Sequence, residues 1–162
     1  MSPESPGATD RDSPLCELPQ GNPTSEEIRR LLQQMRSIAI VGVSDKPERD
    51  SYRVAAYLQQ HGYRIFPVNP NITEVLGQKA YRELTELPER PDGVVVFRRP
   101  EAVPEIVAQA QQLGAKVMWL QLGIVNNAAA EQARAAGMTV VQNRCIMQEH
   151  RHLITNAGRS GS

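Results

Sequence analysis

The chain has 162 residues, with 18 Lys and Arg against 18 Asp and Glu, and a net charge of zero gives no sequence-wide attraction to nucleic acid or to an anionic membrane. The length suits one domain of ~150 residues with tails and excludes two full-sized domains. Hydrophobic residues make up 40% and aromatic residues only 4%, so the core is aliphatic; an aromatic platform for single strands and an aromatic membrane belt are both disfavoured.

Five of the 12 prolines fall within residues 1–23, among Gly, Ser and Asp. Such a segment buries too little apolar area to offset its ordering entropy, so residues 1–23 are expected to form a flexible tail. They contain neither a basic start followed by an apolar run nor a membrane anchor. Their prolines supply a single P-x-x-P spacing, Pro3 to Pro6, which is weak support for a docking module. Residues 154–162 read as a flexible C-terminal end, leaving residues 24–153 as the folded unit. Cys16 and Cys145 lie far apart and do not make a disulfide framework, which fits a reducing cytoplasm.

Thr24 and Glu27 have the spacing of a capping box, and Ile28, Leu31, Leu32 and Met35 follow with helical periodicity. Residues 37–43 (SIAIVGV) form a near-continuous aliphatic run, the mark of a strand buried on both faces. A helix with Val54, Ala55 and Leu58 on one side ends at Gly62, and residues 63–68 (YRIFPV) are the second strand. A loop and a short helical stretch lead to the third strand, residues 93–97 (GVVVF). A helix opened by Pro100 and Pro104 runs to Gly114; residues 116–121 form strand four, Asn126 or Asn127 caps an alanine-rich helix to Gly137, and residues 138–141 form strand five. Alternation of this kind predicts an α/β, Rossmann-like fold: a single domain around a doubly wound parallel five-stranded sheet.

Ligands of such sheets bind beyond the carboxyl ends of the strands, where the strand order reverses. The loop after strand one contains Gly42, Val43, Ser44, Lys46, Arg49 and Ser51 and enters a helix, where free N–H groups and the dipole favour a phosphate. Ser44 and Ser51 add hydroxyls and Lys46 and Arg49 add charge, against Asp45, Glu48 and Asp50. The loop is not G-x-G-x-x-G, no Walker motif occurs, and strand two ends in Val68-Asn69-Pro70 without the acid that takes the ribose of NAD. Arg98 and Arg99 follow strand three, with guanidinium groups suited to phosphate oxygens. Phe97 is a candidate to pack on a base or to join the core. His61 reads as a surface residue at a helix end. Cys145, His150 and His152 match no usual zinc spacing and form no recognisable Cys–His catalytic pair, so neither a metal nor a catalytic residue is assigned.

Residues 38–63 (IAIVGVSDKPERDSYRVAAYLQQHGY), 67–70 (PVNP), 96–100 (VFRRP), 119–124 (WLQLGI) and 143–145 (NRC) together resemble the small stand-alone CoA-binding domain proteins, similar to the CoA-binding lobe of the succinyl-CoA synthetase alpha subunit. The resemblance implies coenzyme A or an acyl-CoA as ligand. It puts Gly42, Ser44, Lys46 and Ser51 near the diphosphate, Asn69, Pro70, Phe97 and Arg98 around the adenosine end, and Gln121 and Gly123 across the crevice. It departs from the usual pattern at Asn143 and Val95, where Asp is common. The synthetase needs a further domain carrying a phosphorylated histidine, so thioester synthesis by this chain alone is not expected. A non-catalytic or regulatory CoA-binding role is the leading expectation. A nucleotide-dependent oxidoreductase, or an acyl-CoA-transferring enzyme acting with an unknown protein partner, is the alternative.

Overall fold

The computed structural model describes residues 18–156. In chain order its elements are α1 (Ser25–Gln34), β1 (Ser37–Val41), α2 (Asp50–Gln60), β2 (Arg64–Val68), β3 (Glu74–Val75), β4 (Gln78–Lys79), β5 (Gly93–Val96), α3 (Val103–Leu113), β6 (Val117–Leu120), α4 (Asn127–Ala135), β7 (Thr139–Val141) and α5 (Ile146–His150). Five strands form one parallel sheet in the order β2-β1-β5-β6-β7. This is the expected Rossmann-like α/β domain, its strands a residue or two shorter than the apolar runs.

The side-chain period of two along each strand divides the core into two layers. Ile38, Ile40, Val95 and Trp119 face α1, α2 and α5, and meet Ile28, Leu32, Val54, Leu58 and Ile146. Ala39, Val41, Val94 and Leu120 face α3 and α4, and meet Val103, Ile106, Val107, Ala129 and Ala133. Both sheet faces are thus covered, which is why the strands read as continuous apolar runs rather than alternating ones. Each fully buried aliphatic side chain contributes ~1.5–3 kcal/mol relative to exposure. Pro67 sits on β2, an edge strand, where a missing N–H leaves no central ladder bond unmade.

The local signals act as expected at the helix ends. Thr24 and Glu27 form the reciprocal capping box of α1. Asn126 caps α4, accepting from Ala129 N at 3.0 Å.

Three features depart from the sequence reading. The stretch after β2 contains the β3–β4 hairpin, turned through Leu76 and Gly77, both with positive φ, before a short 3-10 turn at Leu84–Glu86. After β7 the chain forms α5 and a wide helical turn over Arg151–Asn156, with Leu153 and Ile154 half-buried against the core, so residues 154–156 are not a free end. Residues 18–22 of the expected tail also bond to the domain. Asn22 Nδ2 donates to Gln142 O at 2.9 Å, Gln142 N donates to Asn22 Oδ1 at 2.8 Å, and Arg134 Nη2 donates to Gln20 O at 2.7 Å. The remainder of the tail, residues 1–17, and residues 157–162 lie outside the described residues. No helix of the described residues is long and apolar enough to cross a membrane.

Candidate functional site

The strand order reverses between β1 and β5, and the loops leaving these two strands meet at their carboxyl ends. Gly42, at φ +88°, follows β1 directly, and a Cβ built there falls 2.7 Å from the Phe97 carbonyl oxygen and 3.0 Å from Arg98 Cδ. Only glycine meets both conditions, the left-handed backbone and the absent Cβ. The glycine therefore serves the approach of the two strand ends. Gly42 N donates to Val68 O and Phe97 N to Val41 O, each at 2.8 Å, locking both loops to the sheet.

The β1–α2 loop is braced from within. Ser44 N donates to Ser51 Oγ at 2.9 Å, and Lys46 N donates to Ser44 Oγ at 3.0 Å. Each hydroxyl oxygen is thereby oriented by one N–H and keeps its own proton to donate. Asn69 Nδ2 donates to Val43 O at 2.8 Å while Asn69 Oδ1 accepts from Asn71 N, so the end of β2 clamps the loop. Arg49 is the N-cap of α2 and makes no side-chain capping bond. The first N–H groups of a helix have no intrahelical acceptor, so this end of α2 offers donors to an anion.

Gly42, Ser44, Arg49, Ser51, Asn69 and Phe97 all line one cavity of about 560 Å³ in front of that helix end. Asp45, Glu48 and Asp50 share its wall, and Asp50 is paired with Arg53 at 2.5 Å. The average field is thus not strongly positive, and an anion here would be held by directed hydrogen bonds.

A second cavity, of about 600 Å³, lies at the ends of β5 and β6 and shares Asp50 and Phe97 with the first. Gln121 and Gly123 line it from one side, Arg98 and Arg99 lie at the end of β5, and Val54, Leu122, Ile124 and Met147 add apolar wall. Cys145, a buried free thiol, completes the far side. That side is fixed from β6: Trp119 Nε1 donates to Arg144 O at 2.8 Å, and Gln121 Oε1 accepts from Ile146 N at 3.0 Å. Asn143, with φ +58°, accepts from Gly123 N at 2.7 Å through Oδ1, a bond that an aspartate oxygen also makes.

Pro70 and Arg98 line a smaller groove of about 190 Å³ with Val41, Val68 and Arg82. Ten of the sequence-derived site residues therefore lie on one continuous set of cavities. Two do not. The Val43 side chain is fully buried in the core, leaving only its carbonyl at the loop, and Lys46 is exposed and lines none of these cavities. The sequence reading missed Val54, Leu122, Ile124, Cys145 and Met147 as wall residues. The segments of the resemblance contain Val54, Leu122, Ile124 and Cys145 without giving them a place in the site, and Met147 lies outside them.

The histidines stand apart. His61 is exposed at the end of α2, and buried His150 places Nδ1 2.9 Å from the Tyr57 hydroxyl.

The chain matches the CoA binding domain family over residues 36–151, which contain the whole five-stranded sheet. It is 42% identical over 129 residues to the uncharacterized protein YneT of Bacillus subtilis, covering 80% of this chain and 96% of that protein. Over 83 residues it is 30% identical to the ADP-forming acetate–CoA ligase II of Archaeoglobus fulgidus, covering 50% of this chain but only 12% of the ligase. Among solved structures, a hypothetical protein from Pyrococcus horikoshii OT3 superposes with a TM-score of 0.81 at 43% identity, covering 85% of this chain and 97% of the other. A protein from Thermus thermophilus gives 0.78 at 35% identity, covering 82% of this chain and 100% of the other. With the family pattern spanning the sheet and every loop that lines the crevice, the chain belongs to the CoA binding domain family.

Proposed function

We propose that this protein binds coenzyme A or an acyl-CoA across the switch-point crevice and acts as a non-catalytic or regulatory CoA-binding protein in a reducing cytoplasm. The observation that carries the reading is the pair of adjoining cavities with unlike walls. Ser44 and Ser51 present oriented hydroxyls beside the α2 N-terminus, and past Phe97 the wall turns apolar. A diphosphate suits the first and a pantetheine arm the second, and both volumes fall in the range typical of ligand sites, ~300–1,000 Å³.

In this reading Gly42, Val43, Ser44, Arg49 and Ser51 surround the diphosphate, with Lys46 reaching it from solvent. Asn69, Pro70, Phe97 and Arg98 take the adenosine end, and Gln121 and Gly123 face the arm. The buried free thiol of Cys145 is in keeping with a reducing compartment.

A second reading is favoured by the ligase matches. The chain shares one domain with acyl-CoA-forming enzymes, which suggests acyl-CoA transfer in company with a partner that supplies the chemistry. Calorimetric titration of CoA, dephospho-CoA, NAD and NADP tests the leading reading. CoA should bind and NAD should not; tighter binding of NAD than of CoA overturns it. Acyl transfer by the pure chain would replace the non-catalytic assignment.

A further inference from the structure

We infer that the cavity beyond Phe97 receives the acyl end of a CoA thioester bearing a short apolar acyl group, with Gln121 donating to the thioester carbonyl. The inference rests on the CoA reading above and specifies which form of the coenzyme the site prefers.

Gln121 is the first argument. Only 4% of it is exposed, and it lines the cavity. Its Oε1 is committed to Ile146 N at 3.0 Å, which fixes the amide's orientation and leaves Nε2 without a hydrogen-bond partner among the described residues. A buried donor left unpaired costs as much as a lost hydrogen bond, so an interior amide held in this way calls for an acceptor from a ligand. The acceptor must be a group that can sit among apolar side chains, and a carbonyl meets that requirement where a phosphate does not.

The wall is the second argument. Val54, Phe97, Ile124, Met147 and the Cys145 thiol are all apolar or weakly polar, and Leu122 leaves 57% of its surface exposed at the rim. Leu122 is one of only two large hydrophobic side chains so exposed among the described residues. A pantetheine arm is an amide-rich chain and uses only part of such a wall. A few methylenes beyond the thioester use the rest, each contributing about fourfold in affinity when buried.

Free CoA carries amide carbonyls of its own, so the test must separate them from the thioester. CoA, acetyl-CoA, butyryl-CoA and S-butyl-CoA, a thioether without the carbonyl, are titrated into the full chain. Butyryl-CoA should bind at least about tenfold tighter than CoA, with acetyl-CoA and S-butyl-CoA between them. Ile124→Trp, which fills the cavity, should bring the ratio of butyryl-CoA to CoA affinity close to one. Equal affinities of wild-type protein for CoA and butyryl-CoA overturn the inference while leaving the CoA reading intact. S-butyl-CoA binding as tightly as butyryl-CoA overturns the hydrogen bond from Gln121 to the thioester carbonyl. Failure of every CoA species to bind overturns both. The wild-type ligand series decides even where the Ile124→Trp chain does not fold.

Discussion

Gly42 and the carbonyl of Phe97 are packed so that a single methyl group on Gly42 would sit 2.7 Å from the Phe97 oxygen. The contact joins the two central strands at the point where the sheet reverses, and both cavities share Phe97. Gly42→Ala should therefore act twice. Holding alanine at φ +88° costs about 1–3 kcal/mol, and relieving the clash must move the end of β5. Urea unfolding should show a loss at least of that size, together with weakened CoA binding. An unchanged midpoint would mean that the backbone relaxes freely there.

Asn22 pairs with Gln142 as one peptide group pairs with another, donating to its carbonyl and accepting from its N–H at the outer edge of the sheet. Gln142 is fully buried, with Oε1 accepting from Asn126 N and Nε2 donating to Asn127 Oδ1. Removing Asn22 leaves both main-chain groups of a buried residue short of a partner. Asn22→Ala should cost about 1–3 kcal/mol. Deleting residues 1–23 should lower the melting temperature by at least as much as this substitution, whereas the composition of that segment alone predicts no effect. A deletion that melts with the full chain would assign these bonds no net value.

These contacts mark the limit of what the sequence discloses. Thr24 with Glu27, and Asn126 before an alanine run, are signals contained in four residues, and the corresponding caps form. The sheet is legible because strands buried on both faces need no partner to be recognised. Strands of two residues, as in the β3–β4 hairpin, are too short to show alternation, and the five-residue α5 is little more than one helical turn. Asn22 and Gln142 lie 120 residues apart, and no local pattern announces their bond. The same division runs through the site. The Gly42–Ser51 loop, Asn69 and Phe97 follow from the topological rule for open sheets, whereas Cys145 and Met147 reach the crevice through the bonds that Trp119 and Gln121 make to the chain after β7.

His150 is buried between helices, its Nδ1 2.9 Å from the Tyr57 hydroxyl and its ring 5.2 Å from His61 and 5.7 Å from Tyr63; Arg151 lies over the face of Tyr57. Burial, reinforced by the neighbouring His61, holds its pKa below the ordinary histidine value. The native state thus binds this proton more weakly than the unfolded state does. The associated stability is complete above the unfolded pKa of about 6.5 and is lost as pH falls toward the native value. Unfolding midpoints should drop between pH 7.5 and pH 5, and His150→Phe should flatten that dependence. Tyr63, pushed up to about 12 mainly by burial, acts at the other extreme: stability should decline above pH 10, where the unfolded phenol ionises first. A slope unchanged in His150→Phe would move the acid sensitivity to another group.

Arg98 lays its side chain over Gly42, with Cδ 3.0 Å from the position of a Cβ there, and its exposed guanidinium makes no ion pair among the described residues. It borders both the cavity beyond Phe97 and the groove beside Pro70. With no carboxylate to hold it, the fork is available for a phosphate at the adenosine end of the ligand. A charge-assisted hydrogen bond of this kind contributes ~1.5–3 kcal/mol, so Arg98→Ala should weaken CoA by roughly ten- to a hundredfold. Because the lost partner is the 3′-phosphate, dephospho-CoA should bind the variant and the wild type almost equally. Both ligands are titrated into both proteins. Equal losses for the two ligands would assign Arg98 to packing over Gly42, and no loss for either would leave it a solvated side chain at the end of β5.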